Sequence, residues 1–158
     1  MRRVSAVCFA LAASVTLSAD SCDREDNGAI ISPTQTSAAG TYRLDAVIRT
    51  GTDSVNVPFT FTTGTSNFAL NSATLTLTAN SGVTNAGSFN MSVGGTQNGI
   101  ATNLGMPTAG TWSQNGTTVT FNGADFSTFT GTRSSNILRV TPVTIDGRGA
   151  STLRFTRL

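Results

Sequence analysis

From Gly40 onward, apolar and polar residues alternate with a period of two, the mark of strands that bury one face and wet the other. In the first run Tyr42, Leu44, Ala46 and Ile48 fall on one side, and Arg43, Asp45 and Arg49 on the other. Val55, Val57, Phe59 and Phe61 alternate with Asn56, Pro58, Thr60 and Thr62. Pro58 has no N–H to give to a ladder, so this run lies on a sheet edge or is interrupted there. Phe68 and Leu70 share one parity, and Ala73, Leu75 and Leu77 resume on the opposite one. That slip predicts a bulge or a turn at Asn71-Ser72. Phe89, Met91 and Val93 continue the pattern, followed by Trp112, Val119, Phe121, Phe126, Phe129, Leu138, Val140, Leu153 and Phe155.

The breaks fall where turn residues cluster: Gly51-Thr52-Asp53, Thr63-Gly64-Thr65, Asn80-Ser81-Gly82, Asn122-Gly123 and Asp146-Gly147-Arg148-Gly149. Asn115-Gly116, set between alternating runs, is the strongest short hairpin signal in the chain. Gly94 to Gly110, rich in glycine and carrying Pro107, reads as a long loop. The expected fold is all-β with about eight or nine strands, either an antiparallel up-and-down meander closed into a barrel or a β-sandwich.

The N-terminus follows another rule. Met1-Arg2-Arg3 is a basic start, and Val4 to Leu17 is an uncharged run of about 14 residues. A membrane-spanning helix needs about 20 apolar residues, so the run reads as a secretory signal. Two outcomes stay open beyond it. Cleavage after Ala19 releases the protein with Cys22 unpaired on a flexible arm. Alternatively, Ala19-Asp20-Ser21-Cys22 serves as a degenerate lipobox and Cys22 becomes the lipidated first residue. Cys8 leaves with the signal, so Cys22 has no disulfide partner in what remains. The polar stretch that follows suits a tether. The expected organisation is a signal peptide over 1–21, a flexible tether over 22–39 and a β domain over 40–158. The expected place is the cell envelope, periplasmic or outer-membrane, with secretion as the alternative. The expected partner is a membrane, reached through the lipid anchor.

Composition narrows the chemistry. All ten cations are Arg, and the chain has neither Lys nor His. Imidazole bases, serine–histidine triads, zinc sites built on histidine and lysine Schiff bases are therefore excluded. A net charge of +2 creates no field suited to nucleic acid. From residue 40 on, the only carboxylates are Asp45, Asp53, Asp125 and Asp146. Asp53 and Asp146 fall in turns, where Asp bonds its own backbone. Asp45 lies between Arg43 and Arg49, and Asp125 alone stands near a possible pocket rim. An acid–base pair needs two carboxyls roughly 5–10 Å apart, which nothing here assembles. No catalytic residue, metal ligand or cofactor is assigned, and no enzyme activity is expected. The run Asp23-Arg24-Glu25-Asp26 lacks the ordered ligands and glycine of a calcium loop. Arg43, Arg49, Arg133, Arg139, Arg148, Arg154 and Arg157 have two readings. They keep strand faces soluble, or they gather on one side to bind an anionic headgroup or polysaccharide.

Gly40-Thr41-Tyr42-Arg43-Leu44 resembles the first-strand opening of bacterial lipocalin-like domains. The stretch from Gly110-Thr111-Trp112 through Asn115-Gly116 to Val119-Thr120-Phe121 is similar to their recurring hairpin, and Leu153 to Leu158 suits their closing strand. The resemblance implies a barrel on a lipid tether in the envelope, with a small hydrophobic or amphipathic ligand in its mouth. It also implies that Tyr42, standing where the family opens with Trp, packs against Arg154 or Arg157. On that reading the ligand is lined by Phe59, Phe61, Leu75, Phe89 and Trp112. The alternative is a structural or adhesive domain with a filled core, acting through its exterior polar residues.

Overall fold

The alternation becomes eleven strands among the described residues of the computed structural model, which are 36–49, 54–125 and 127–158. They belong to one unit, Gln35–Leu158. The expected signal peptide, Cys22, the tether as far as residue 35, the turn at Gly51-Thr52-Asp53, and Phe126 lie outside the described residues. In chain order the strands are β1 (Gly40–Arg49), β2 (Ser54–Asn56), β3 (Phe59–Thr63), β4 (Ser66–Ala79), β5 (Ala86–Gln97) and β6 (Ile100–Thr102). There follow β7 (Ala109–Asn115), β8 (Thr118–Gly123), β9 (Thr128–Ser134), β10 (Ile137–Ile145) and β11 (Gly149–Arg157).

Eight of them close a ring in the order β1, β11, β10, β9, β8, β7, β5, β4, with β4 pairing back to β1. Every pairing is antiparallel. This is an up-and-down β-barrel, and the β1–β4 ladder is what distinguishes it from the sandwich. The remaining three strands are short additions: β2 on β1, β3 on β4 and β6 on β5. Eleven strands replace the expected eight or nine for two local reasons. Pro58 splits the Val55–Phe61 run into β2 and β3, and the expected loop from Gly94 holds the end of β5 and all of β6.

The inward positions form one packed core. It includes Tyr42, Leu70, Leu75, Phe89, Trp112, Phe121, Leu138, Leu153 and Phe155, each at most 3 % exposed. Phe121 stacks on Phe129 at 4.9 Å, and Phe89 meets the two rings edge-on at 5.5 and 5.9 Å. Burying each such side chain contributes about 1.5–3 kcal/mol. The expected slip at Asn71-Ser72 is a register shift between Leu70 and Ser72. A second shift, between Leu44 and Ala46, departs from the expected alternation. It sets Val47 opposite Leu153, so Val47 takes the inward place that simple parity gives to Ile48. Outward positions carry Thr, Ser, Asn and Arg. A membrane-spanning barrel has the reverse polarity, apolar outside. No helix among the described residues is long and apolar enough to cross a membrane.

The two ends are built differently. At the lower end lie the β4–β5, β7–β8 and β9–β10 turns, the start of β1 and the C-terminus. The β7–β8 turn is the expected Asn115-Gly116 hairpin, where Gly116 adopts φ +60°. At the upper end two seams part. The β1–β4 ladder runs only from Gly40↔Leu77 to Arg43↔Thr74, and the β5–β7 ladder only from Ala86↔Ser113 to Asn90↔Ala109. Above the first seam β2 and β3 continue the sheet edges. From the second, the chain runs through β6 into a segment that buries Leu104 and Met106 at 0 % and 1 % exposure. That segment, expected as a loop, is an apolar plug.

Candidate functional site

The five residues expected to line a ligand are divided between two places. Leu75, Phe89 and Trp112 are embedded in the core, at 2–3 % exposure. The Trp112 indole N–H donates to the Thr78 carbonyl at 3.2 Å, which satisfies its one polar group. Phe59 and Phe61 sit instead on β3 at the upper rim, half-buried against the core's edge. Their rings lie 5.7 Å apart, and Phe61 stacks on Phe68 at 5.0 Å. The Arg148 guanidinium, carried by the β10–β11 turn, lies 4.9 Å from the Phe59 ring centre and 5.6 Å from that of Phe61. A cation over aromatic faces is attracted by their quadrupoles.

Backbone and side-chain bonds draw the rim together. The Thr63 hydroxyl donates to the Gly147 carbonyl at 2.6 Å, and the Asp146 N–H donates to the Leu104 carbonyl at 2.9 Å. Gly95 lets the plug sit close: a Cβ there would fall 2.7 Å from Leu104 Cγ, so any larger residue must displace the plug. The sequence carries little warning of this closure, because Leu104 and Met106 stand isolated among glycines with no strand period.

The lower end holds a second cluster that alternation does not reveal. Gln114 on β7 points inward and is 6 % exposed. Its Oε1 accepts from the Ala38 N–H at 2.7 Å, and its amide donates to the carbonyls of Thr36 at 3.2 Å and Gly116 at 2.9 Å. Arg133 also donates to the Thr36 carbonyl, at 2.7 Å, and Ser37 donates to that of Thr84. The residues just before β1 are therefore bound to the barrel floor, and the folded unit takes in the last stretch of the expected tether. Tyr42 donates to the Ala38 carbonyl at 2.7 Å. Of the two arginines expected beside Tyr42, Arg157 is the one present: it is the cross-strand partner, its guanidinium 6.0 Å from the ring centre.

The described carboxylates are dispersed, and those of Asp45 and Asp125 are engaged by neighbouring side chains. Asp45 lies 3.3 Å from Arg43 and accepts from the Thr156 hydroxyl. Asp125, fully exposed in the β8–β9 turn, accepts from the Ser127 hydroxyl at 2.6 Å and from its N–H at 3.1 Å. Those bonds favour the ionised form and hold its carboxyl below the usual 3.8. Asp125 borders two surface depressions of about 370 and 210 Å³ beside Pro107. Asp146 belongs to the β10–β11 turn, as expected, and Asp53 lies outside the described residues. No three metal-binding side chains come together among the described residues.

On the outer wall, the parting of β1 and β4 leaves a depression of about 370 Å³ lined by Arg43, Asp45, Asn56, Asn71, Ser72 and Arg154, with Leu44 and Val57 between them. The molecule is thus an eight-stranded antiparallel barrel with a packed interior, a plugged upper end and a hydroxyl-rich exterior. In comparisons with protein-family models, curated proteins and solved structures, nothing matches this chain.

Proposed function

We propose that the chain is a non-enzymatic, lipocalin-like envelope protein that works from the outside of a filled barrel, rather than a carrier enclosing a small molecule. The observation that carries this reading is the interior. Leu75, Phe89 and Trp112 are packed among other core side chains, with Leu104 and Met106 set into the upper end. An interior ligand would have to displace well-packed apolar contacts. The exterior offers rows of Thr, Ser and Asn with dispersed arginines. The basic start and apolar run of the N-terminus favour export, and Cys22, at the head of a polar stretch, favours a lipid anchor.

Native mass spectrometry of the protein extracted gently from its own host tests the reading. The expected spectrum has a diacylated Cys22 at the N-terminus and no reproducible non-covalent adduct on the barrel. An apolar adduct that departs on activation would overturn the filled barrel, and an N-terminus at Asp20 would overturn the anchor.

A second reading rests on the rim. Phe59 and Phe61, half-buried beneath Arg148, offer apolar faces beside a cation, which suits one amphipathic anion held at the mouth. Titration with an anionic long-chain detergent, compared between the native chain and Phe61→Ala, decides it. Saturable binding lost in the variant supports the rim, and equal or absent binding excludes it.

A further inference from the structure

We propose that the outer wall formed by β9, β10, β11 and β1 binds an anionic glycan, a polysaccharide whose acidic groups are held between Arg139 and Arg154. The inference deepens the reading that the barrel acts from its outside, and rests on it. The site originates in strand register. Arg139 and Arg154 are direct cross-strand partners on the outward parity of β10 and β11. Side chains so paired have Cβ atoms about 4.5–5.5 Å apart, and like charges placed there oppose each other. Neither guanidinium has a hydrogen bond or ion pair with any described residue. The carboxylate beside them in the wall, Asp45, is already engaged by Arg43 and Thr156. Two adjacent cations with no bonded counter-ion among the described residues form a place where one acidic group relieves repulsion and gains two guanidinium forks.

The surroundings fit sugar hydroxyls. Arg154 lines the 370 Å³ depression at the β1–β4 seam, together with Arg43 and the amides Asn56 and Asn71. Arg139 lines a second depression of about 330 Å³ on the other flank, with Thr132, Ser134, Thr141 and Thr152. The two hollows lie on either side of the cation pair, so an extended chain crossing the wall meets hydroxyls and amides on both flanks. Other polyanions fit less well. Single-stranded nucleic acid is held by aromatic platforms on which bases stack, and neither hollow contains an aromatic side chain. A lipid surface is gripped by apolar side chains beside the cations, and the two hollows offer only Ile137 and the edges of Leu44 and Val57.

The test is retardation of the purified full chain in gels containing polygalacturonate or dextran sulfate, with neutral dextran as reference. The native chain is expected to be retarded by at least one of the acidic polymers, less so as salt rises. Arg139→Gln/Arg154→Gln is expected to lose at least tenfold in affinity while its thermal midpoint stays level or rises, since a repulsion has been removed. Arg49→Gln, at the exposed end of β1 and outside the lining of both hollows, is expected to change affinity less than twofold. Absence of retardation, equal retardation by neutral dextran, or unchanged binding by the double variant would overturn the proposal. Stronger binding to phosphatidylglycerol vesicles or single-stranded DNA would overturn the choice of a glycan. Trp112 emission, recorded on the same samples with added palmitate, reads the interior independently. A saturable shift there refutes the filled barrel, whereas loss of glycan binding alone refutes only this site.

Discussion

At the lower end of the barrel the strands stay laced by backbone ladders, whereas at the upper end the β1–β4 and β5–β7 seams part and side chains fill the gap. Ladder closure uses groups that every residue except proline carries, so many sequences satisfy it. Closure by a plug depends on particular side chains, here Leu104 and Met106, with Arg148 across the rim. The lower end has its own specific device in Gln114, but that glutamine fastens the entering chain rather than closing a gap. The upper end is therefore the more exposed to single substitutions that admit a guest, and the lower end to those that free the N-terminal segment.

The largest effect is expected at the plug. Leu104→Ala should cost about 2–5 kcal/mol by the usual range for emptied core sites, read as a lower urea midpoint. It should also let an apolar dye enter, because the cavity opens toward the rim. Gln114→Leu comes next. It leaves the Ala38 N–H without its buried partner, while Arg133 still serves the Thr36 carbonyl, for a loss of about 1–3 kcal/mol. Limited proteolysis should then cut near 36–39 in the variant and not in the native chain. Arg148→Ala should cost less, about 0.5–1 kcal/mol for a cation–aromatic contact near the surface. Its signature is faster hydrogen exchange confined to β3 and the β10–β11 turn. An equal effect on exchange at the lower end would remove the distinction between the two ends.

The smallest expected effect is that of pH on Asp125. Its folded carboxyl titrates below the ordinary value of 3.8, so its contribution is complete above the unfolded pKa and fades as pH falls through the folded one. The native chain should therefore lose its small advantage over Asp125→Asn only below about pH 4, seen as converging urea midpoints. Convergence nearer neutral pH would contradict that assignment.

Much of the barrel is legible in local pattern. Phe68, Leu70, Ala73, Leu75 and Leu77 mark both a strand and its bulge, because a change of parity within one apolar run requires an inserted residue or a turn. Asn115-Gly116 marks its hairpin through the turn geometry that glycine permits. The bulge at Asp45 leaves no such trace, since Ala46, Val47 and Ile48 are all apolar and either register looks consistent. The plug is silent in the sequence because two buried residues in a glycine-rich stretch have no period. Gln114 reads as an ordinary polar residue, and only its position over the entering chain explains its burial. The meeting of Arg139 with Arg154 is a matter of register between neighbouring strands, which alternation alone does not specify. The candidate site is legible only as a choice between dispersed and gathered arginines.

Trp112 is the only tryptophan in the chain and lies inside the barrel, so its emission reports the interior directly. For a filled barrel, its fluorescence should resist acrylamide quenching and keep its wavelength and intensity as palmitate is added to saturation. A saturable change on adding palmitate, approaching one molecule per chain, would mean that the interior opens to a guest and would contradict the account.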